Sequence, residues 1–231
     1  MQEKKERALL VGLNITSTSR RIDDIDINES MEELKELKLG KDLVGNKDAQ
    51  TLAHDLLGKI IHCADGDYLI TVTEAYPADD YYSYIYRATH NEDGTKKSEN
   101  EIDKNGKAYK ILTDENMVGE FFLYGGMLHL ACKANKAEAR IELDNVLIRG
   151  AVKVEDNTLI IDDNINMNFG EGRPTTLAKT LGIDENNLST LRIYDSSLSF
   201  TRKECERIGL KGEDKTDAKV AYRFFINKIK I

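Results

Sequence analysis

The chain contains little cysteine and no long apolar run. Its 231 residues include three cysteines, Cys63, Cys132 and Cys205, and no two of them form a CxxC pair. This spacing indicates neither a disulfide framework nor a zinc knuckle, and it suits a reducing cytoplasm. No apolar stretch is long enough for a transmembrane helix, and the N-terminus has no small-residue cleavage site of a signal peptide. We therefore expect a cytoplasmic protein without membrane association, or a nucleoid-associated one if it is bacterial.

Basic residues are outnumbered by acidic residues. The chain has 33 Lys and Arg residues against 41 Asp and Glu residues, which gives a net charge of −8. This balance argues against nonspecific coating of nucleic acid, because phosphate binding depends on Lys and Arg. A local basic cleft on an acidic protein would still be compatible with DNA binding.

The four histidines lack metal-ligand spacing such as HxxxH. They are His54, His62, His90 and His129. We expect each to be a surface residue or a hydrogen-bonded core residue, and we expect neither a metal nor another cofactor.

The first 58 residues contain the patterns of one strand and two helices. The run RALLVGL at 7–13 predicts a buried strand, and INESMEELKELKLG at 27–40 predicts a helix with Leu37 on its apolar face. A second helix is predicted from Asp48, its N-cap, to Gly58, which ends it.

The rest of the chain is rich in strand patterns. An Asp65-Gly66 turn joins two β-prone runs into a hairpin whose second arm ends near Glu74. Residues 87–116 are polar and predict a long, partly ordered loop. A short helix is predicted from Pro174 to just before Gly182. Further strands are predicted in EFFLYGGMLHLAC, VLIRGAVKV, TLIIDD, IGL and YRFFI. Together these elements indicate an α+β architecture with helices around a largely antiparallel sheet.

Several short strings follow one another in a specific order. They are LAHDLLGKII, TVTEAY, an acidic turn at Asp79-Asp80, VLIRGA, GRPTTLAKTLGI, and RIGL with YRFF. Over about residues 44–226 the chain resembles the alkyladenine (3-methyladenine) DNA glycosylase family. The resemblance implies one α+β domain at 44–231 with a curved, largely antiparallel sheet and peripheral helices, preceded by a short βα extension at 1–43. The first 38 residues resemble the start of a ribosome-associated GTPase of the HflX type, but they contain no nucleotide-binding motif.

The resemblance implies hydrolysis of the N-glycosidic bond of alkylated purines in DNA. The glutamate of the TEAY string, which activates water in the family, is Glu74, and an arginine near that water matches Arg149. A buried arginine paired with a carboxylate is the alternative for Arg149. Because an alkylated purine is a good leaving group, a carboxylate that orients water and stabilises positive charge on the sugar can suffice. The family supplies no lysine for a Schiff base, so a monofunctional enzyme that leaves an abasic site is expected.

The resemblance also implies an aromatic pocket for a flipped base. The tyrosine of the TEAY string is Tyr76, and the family's histidine position falls at Tyr84. The second pocket tyrosine matches Tyr124, in which case the tyrosine that wedges into the duplex is deleted. Alternatively, Tyr124 is the wedge and Phe122 forms the pocket wall.

Contacts to DNA are expected at the predicted helix near Pro174. Gly172, Arg173 and Thr175 precede or open this helix, where free backbone N–H groups and a basic side chain suit a phosphate. An ordinary capping turn is the alternative. The expected partner is double-stranded DNA containing a damaged base, and we expect a monomer.

The altered pocket motivates two rival functions. The family's asparagine that helps to exclude guanine is replaced by Ala131 or Cys132, so this discrimination is expected to be lost. One rival is a non-catalytic relative that binds nucleic acid or another partner. The other is an enzyme of the same fold that acts on free nucleosides or an unusual base.

Overall fold

A computed structural model describes residues 36–37, 43–136, 140–155, 158–159, 174–196, 198–210 and 216–229. The predicted strand at 7–13, most of the predicted helix at 27–40, and Gly172 and Arg173 lie outside the described residues.

The described residues form four α-helices and ten β-strands. The helices are α1 (Ala49–Leu56), α2 (Tyr84–Thr89), α3 (Lys107–Leu112) and α4 (Pro174–Thr180). The strands are β1 (Glu36–Leu37), β2 (Ile60–Cys63), β3 (Gly66–Tyr76), β4 (Phe121–Tyr124), β5 (Met127–Lys136), β6 (Ile141–Glu155), β7 (Thr158–Leu159), β8 (Arg192–Tyr194), β9 (Phe200–Cys205) and β10 (Arg223–Ile229). Short 3-10 turns lie at Glu115–Met117, Leu188–Thr190 and Thr216–Lys219. None of the helices in these ranges is long and apolar enough to cross a membrane.

The strands form one antiparallel sheet that curls strongly. Its order is β1-β8-β2-β3-β6-β5-β4, with β10 paired to β3 and β9, and β7 paired to β6. The predicted α+β fold with a largely antiparallel curved sheet and peripheral helices is confirmed. Strand β3 is central, because β2 and β10 pair with its two halves on one edge and β6 pairs along the other edge.

The predicted N-cap of α1 and the predicted start and end residues of α1 and α4 agree with the structure. Asp48 caps α1 by accepting a 2.8 Å hydrogen bond from the Thr51 backbone, and Gly58 follows the helix with a φ of 76°. The buried face of α1 carries Ala49, Leu52, Ala53 and Leu56. Helix α4 begins at Pro174, and Gly182 lies just beyond it with a φ of 63°.

The predicted hairpin and most other strands are also confirmed. Strands β2 and β3 form this hairpin, but its turn lies at Ala64-Asp65, one residue earlier than predicted, because Gly66 already pairs with Cys63 as the first residue of β3. The strands predicted in EFFLYGGMLHLAC, VLIRGAVKV and YRFFI correspond to β4 and β5, β6 and β10. Only the start of the predicted TLIIDD strand is described, as β7.

Three segment predictions are wrong. Residues 87–116 are not one loop, because they contain the end of α2 and all of α3, whose Leu112 packs with Ile85 in a buried cluster. Leu37 lies in strand β1 and not in a helix, and its pairing with β8 completes an edge of the sheet. Residues 208–210 form no strand, and Ile208 is 52% exposed.

Side chains of β3 alternate between two buried faces of the sheet. Thr73 faces α1, where its hydroxyl donates a 2.6 Å hydrogen bond to the Ala53 carbonyl. Glu74 therefore points to the opposite face, because successive strand residues alternate. Every residue from Tyr68 to Tyr76 is buried, as expected for a strand covered on both faces. The main core lies on the α1 side, whereas the second buried cluster, with residues of α2 and α3, lies on the Glu74 side.

Candidate functional site

The Glu74 carboxylate lies inside the sheet and is fully buried. Glu74 is 0% exposed, and it pairs with Arg223 of β10 on one side and Leu147 of β6 on the other. Strand β3 continues to Tyr76, so the carboxylate sits two residues inside the strand. A carboxylate at this depth requires charged or hydrogen-bonding partners.

Two arginines and one tyrosine surround this carboxylate. Arg149 Nη1 lies 3.1 Å from each carboxylate oxygen and donates a hydrogen bond to Oε2. Tyr76 Oη donates to the same oxygen at 3.1 Å, and Arg223 Nε lies 3.9 Å from Oε1. Within the described part of the chain, Glu74 Oε1 accepts no hydrogen bond. Its lone pairs are therefore available to a further donor.

Glu74 faces two guanidinium groups, those of Arg149 and Arg223. Burial raises the pKa of Tyr76, and the charge of Glu74 raises it further, so the phenol stays protonated and donates. The side chain of Arg149 is 13% exposed and that of Arg223 only 2%. Arg149 is therefore the cation of this group that reaches towards solvent.

Gly150 lets β6 approach β3 beside Arg149. The pairing of these strands shifts register around Val72, which lies opposite Gly150. A Cβ at Gly150 would lie only 3.0 Å from Val72 Cγ2. The absent side chain thus permits the close strand contact that holds Arg149 near Glu74.

Tyr84 and Tyr124 extend the same cluster. Their ring centroids are 4.2 Å apart with a tilt of 45°, and both residues are half-buried. Arg87 lies over the Tyr84 ring at 5.0 Å. Burial raises the pKa of Tyr84, and the charge of Arg87 opposes this rise. The His129 ring contacts both Tyr84, at 5.6 Å, and Tyr76, at 6.4 Å, and so joins the two tyrosines.

Five of the eight residues selected from the sequence thus come together. They are Glu74, Arg149, Tyr76, Tyr84 and Tyr124, which we call the Glu74 cluster. Thr175 lies apart from this cluster, exposed in the first turn of α4. Its carbonyl oxygen would lie 3.8 Å from a Cβ at Gly126, so α4 begins beside the turn that follows Tyr124.

Sequence reasoning missed His129, which lies in this region. It is 0% exposed, stacks on Phe122 at 5.0 Å, and contacts Tyr84 and Tyr76 edge-on at 5.6 and 6.4 Å. Its Nδ1 lies 3.0 Å from Asn145 Oδ1, whereas its Nε2 has no hydrogen-bond partner among the described residues. The expectation of a hydrogen-bonded core histidine is thus met at Nδ1 and not at Nε2.

A second buried ion pair braces the chain after β3. Arg207 Nη2 lies 2.6 Å from Asp80 Oδ2, and the two side chains are 0% and 1% exposed. Arg207 also donates to the Ala75 carbonyl at 3.1 Å, and its guanidinium lies 4.7 Å over the Tyr76 ring. Burial raises the pKa of Asp80, while the charge of Arg207 opposes the rise. The acidic turn and the RIGL string thus meet in this ion pair, which holds Arg207 over the Tyr76 ring.

A cavity of about 460 Å³ lies on the other side of the sheet. It is lined by Gln50, Thr51, His54, Glu204, Val220, Ala221, Tyr222 and Phe224. Phe224 pairs with Thr73, whose side chain faces α1, so this cavity opens on the α1 side. The Glu74 cluster does not line it.

Comparison with known proteins assigns this chain to no family. No family model matches the chain, and no curated protein matches it. In the ranges that the structure describes, no group of three or more His, Cys, Asp or Glu side chains could hold a metal ion.

Proposed function

We propose that this protein is a monofunctional DNA glycosylase that hydrolyses the N-glycosidic bond of alkylated, 3-methyladenine-type purines. The observation that carries the proposal is the Glu74 cluster. Arg149 lies 75 positions from Glu74 in the sequence, yet it contacts the carboxylate directly. The residue types that the reaction needs, a carboxylate, a cation and stacking rings, meet at one place.

In the proposed reaction, Glu74 activates one water molecule. Oε1 receives a proton from the water while the water oxygen bonds to the sugar carbon C1′. The N-glycosidic bond breaks, and its electron pair leaves with the base. The carboxylate also stabilises the positive charge that develops on the sugar, and Arg149 holds the carboxylate in place through Oε2. The Glu74 cluster includes no lysine, so the product is an abasic site, and the step uses no cofactor.

The flipped base would stack against Tyr76, Tyr84 and Tyr124. The rings of Tyr84 and Tyr124 are 4.2 Å apart, whereas a base between two rings needs roughly 7 Å, twice a van der Waals spacing of about 3.5 Å. Entry of a base between them therefore requires these two rings to separate. Tyr84 and Tyr124 are half-buried, so this motion displaces less packing than a motion of the buried Tyr76 would.

The proposed partner is duplex DNA containing a damaged base, bound by a monomer in the cytoplasm or on a bacterial nucleoid. The net charge of −8 is compatible with this partner if positive charge is local, and the partly exposed Arg149 places one cation at the edge of the site. Thr175, with Gly172 and Arg173, is the proposed phosphate contact.

A second candidate is a nucleic-acid-binding protein without catalytic activity. The complete burial of Glu74 favours it, because a carboxylate between two arginines also serves as a structural ion pair.

Release of base from methylated duplex DNA distinguishes the two candidates. We expect Glu74→Gln to lower the rate by about 10² to 10⁴, the usual contribution of a general base. Glu142→Gln is the matched control, since Glu142 is another largely buried glutamate paired with an arginine, Arg140, at 2.8 Å. It should retain most of the activity.

Two results would count against the DNA glycosylase, and a third would show that the control has failed. Equal background release by wild type and Glu74→Gln would reject the proposal and leave the binding protein, which a gel-shift assay on the same duplex then tests. Release from single nucleosides but not from duplex would assign the site to free nucleosides. Loss of activity in the Glu142 control would show that the assay reports folding, which circular dichroism of each variant checks.

A further inference from the structure

Arg87 is an exposed arginine in contact with the Glu74 cluster. It follows Tyr84 by three positions on α2, so the two side chains share one face of the helix. The guanidinium carbon of Arg87 lies 5.0 Å from the centroid of the Tyr84 ring. Among the described residues, the Arg87 side chain forms no salt bridge and no hydrogen bond. Its N–H donors are therefore available to a ligand that approaches from solvent.

A second cation lies at the same end of α2. Lys97 Nζ donates to the carbonyl oxygens of Arg87 and Ala88 at 3.0 and 3.3 Å. These carbonyls belong to the last turn of the helix, which carries partial negative charge. Glu101 forms its hydrogen bonds with Ser98 and not with Lys97. Positive charge is thus held beside Arg87 without a carboxylate bonded to it.

The charges around α2 differ between its sides. Burial raises the pKa of Tyr86, and the charges of three carboxylates raise it further, those of Asp217, Asp79 and Asp93. Tyr86 is two positions from Tyr84, which at 3.6 residues per turn places it on nearly the opposite side of the helix. The side with Tyr84 instead carries Arg87. This acidic protein therefore presents local positive charge at the aromatic pair.

The ring in contact with Arg87 is one of those on which the flipped base would stack. Tyr84 and Tyr124 are the half-buried rings that separate for a base in the proposed function. One sugar joins a base to its phosphates, so a base at Tyr84 brings phosphates close to Arg87. A guanidinium contacts a ring through its face and keeps its N–H donors in its own plane, where they match two phosphate oxygens. The contact also orders the side chain before DNA binds, which lowers the entropy lost on binding.

We infer that Arg87 donates hydrogen bonds to a DNA backbone phosphate adjacent to the extruded nucleotide. The inference rests on the proposed function for its ligand, DNA, and it adds a phosphate contact separate from the one proposed at Thr175. Because phosphate contacts position DNA and carry no sequence information, Arg87 contributes affinity and orientation and not the choice of lesion. It also places positive charge where a protein of net charge −8 needs it for DNA binding.

The salt dependence of DNA binding tests this contact. The probe is a duplex with one tetrahydrofuran abasic-site analogue, which mimics the proposed product, and fluorescence anisotropy gives its Kd at several NaCl concentrations. Each phosphate contact contributes about 0.9 to the slope of log K against log salt. We expect Arg87→Gln to weaken binding roughly tenfold and to lower this slope by about 0.9. Arg87→Lys keeps the charge and should keep the slope.

Arg202→Gln is the matched control. Arg202 is also exposed, and its guanidinium lies over the ring of Phe200 at the same distance of 5.0 Å. It contacts His54 of α1, on the side of the sheet opposite Glu74, so this variant should bind the duplex as wild type does. An unchanged slope in Arg87→Gln, an equal fall in Arg202→Gln, or no binding of the duplex by wild type would overturn the inference.

Replacement of single phosphates tests the contact in the wild type itself. An uncharged methylphosphonate is placed in turn at each position that flanks the analogue. Wild type should lose roughly tenfold in affinity at one position, and Arg87→Gln should lose nothing further there. The absence of a sensitive position in wild type, or an equal loss in both proteins, would overturn the inference.

Failure of the proposed function has a different signature. A sensitive phosphate in wild type that Arg87→Gln no longer recognises, without base release from methylated duplex DNA, would keep the contact and reject the glycosylase. Base release by wild type and Arg87→Gln with the same KM and the same salt dependence would reject only the contact.

Discussion

Burial of His129 makes a quantitative prediction about stability at acidic pH. The folded protein holds this ring with a pKa of about 4, against 6.5 for an unperturbed histidine, and burial is the main cause. Between these two pH values the unfolded chain binds a proton that the folded protein does not. Stability is therefore lost as pH falls through 6.5, and the loss is complete below 4.

The size of the effect follows from the two pKa values. Each pKa unit of difference between folded and unfolded states corresponds to about 1.4 kcal/mol, so the full effect is about 3 kcal/mol. His129 is 0% exposed, so solvent screening does not reduce this figure. Between pH 7 and pH 5, about 2 kcal/mol of it is lost.

The free energy of unfolding of wild type and of His129→Phe, measured in urea at pH 7 and at pH 5, tests this prediction. The variant keeps a planar ring beside Phe122 but binds no proton, so between the two pH values it should lose about 2 kcal/mol less stability than wild type. Burial also raises the pKa of Asp80 and Asp144, but these groups are present in both proteins and cancel in the comparison.

Leu128→Ala is the matched control for this prediction. Leu128 is a fully buried neighbour of His129 on β5, and its truncation should cost about 2–5 kcal/mol equally at both pH values. The same pH dependence in wild type and His129→Phe would refute the reasoning, because it would mean that His129 is protonated in the folded protein or accessible to solvent.

Two further predictions concern the supports of the site. Arg207→Met should destabilise the protein by about 3–5 kcal/mol in urea unfolding, because it leaves Asp80 buried without its cation; a loss below about 1 kcal/mol would contradict this role. Gly150→Ala should cost about 1–3 kcal/mol, because the added methyl group would meet Val72 at 3.0 Å. Gly150→Ala should cost less stability in a Val72→Ala background than in wild type, and an equal cost in the two backgrounds would argue against the contact.

Aspects of the fold that depend on short-range chemistry were predictable. The Asp48 cap, the hairpin between β2 and β3 and the Pro174 start of α4 involve residues a few positions apart. The cap and the helix start lie where the pattern predicted them, and the hairpin turn lies one residue earlier. The polar segment at 87–116 was harder to predict, because its helix α3 is stabilised by packing of Leu112 in a buried cluster that the local pattern does not reveal.

Local patterns likewise identified some residues of the candidate site and missed others. Glu74 and Arg149 were selected from motifs, but Arg223, the second cation of the carboxylate, was missed although it interrupts the apolar run YRFFI. A charged residue inside an apolar run needs a buried partner. The sequence therefore marks Arg223 as unusual, but it does not show that the partner is Glu74. His129 between Leu128 and Leu130 was a comparable signal, since strand alternation places it opposite the leucines.

Residue types, helix caps and the antiparallel α+β class follow from local patterns in the sequence. That Glu74 is buried beside two arginines, and that His129 and Asn145 meet beside Tyr76 and Tyr84, follows from the pairing of strands. Strand pairing joins segments distant in sequence, as when β10 lies against β3, and no local pattern contains that information. Burial and partner choice arise from that pairing, whereas caps, turns and alternation act over a few residues.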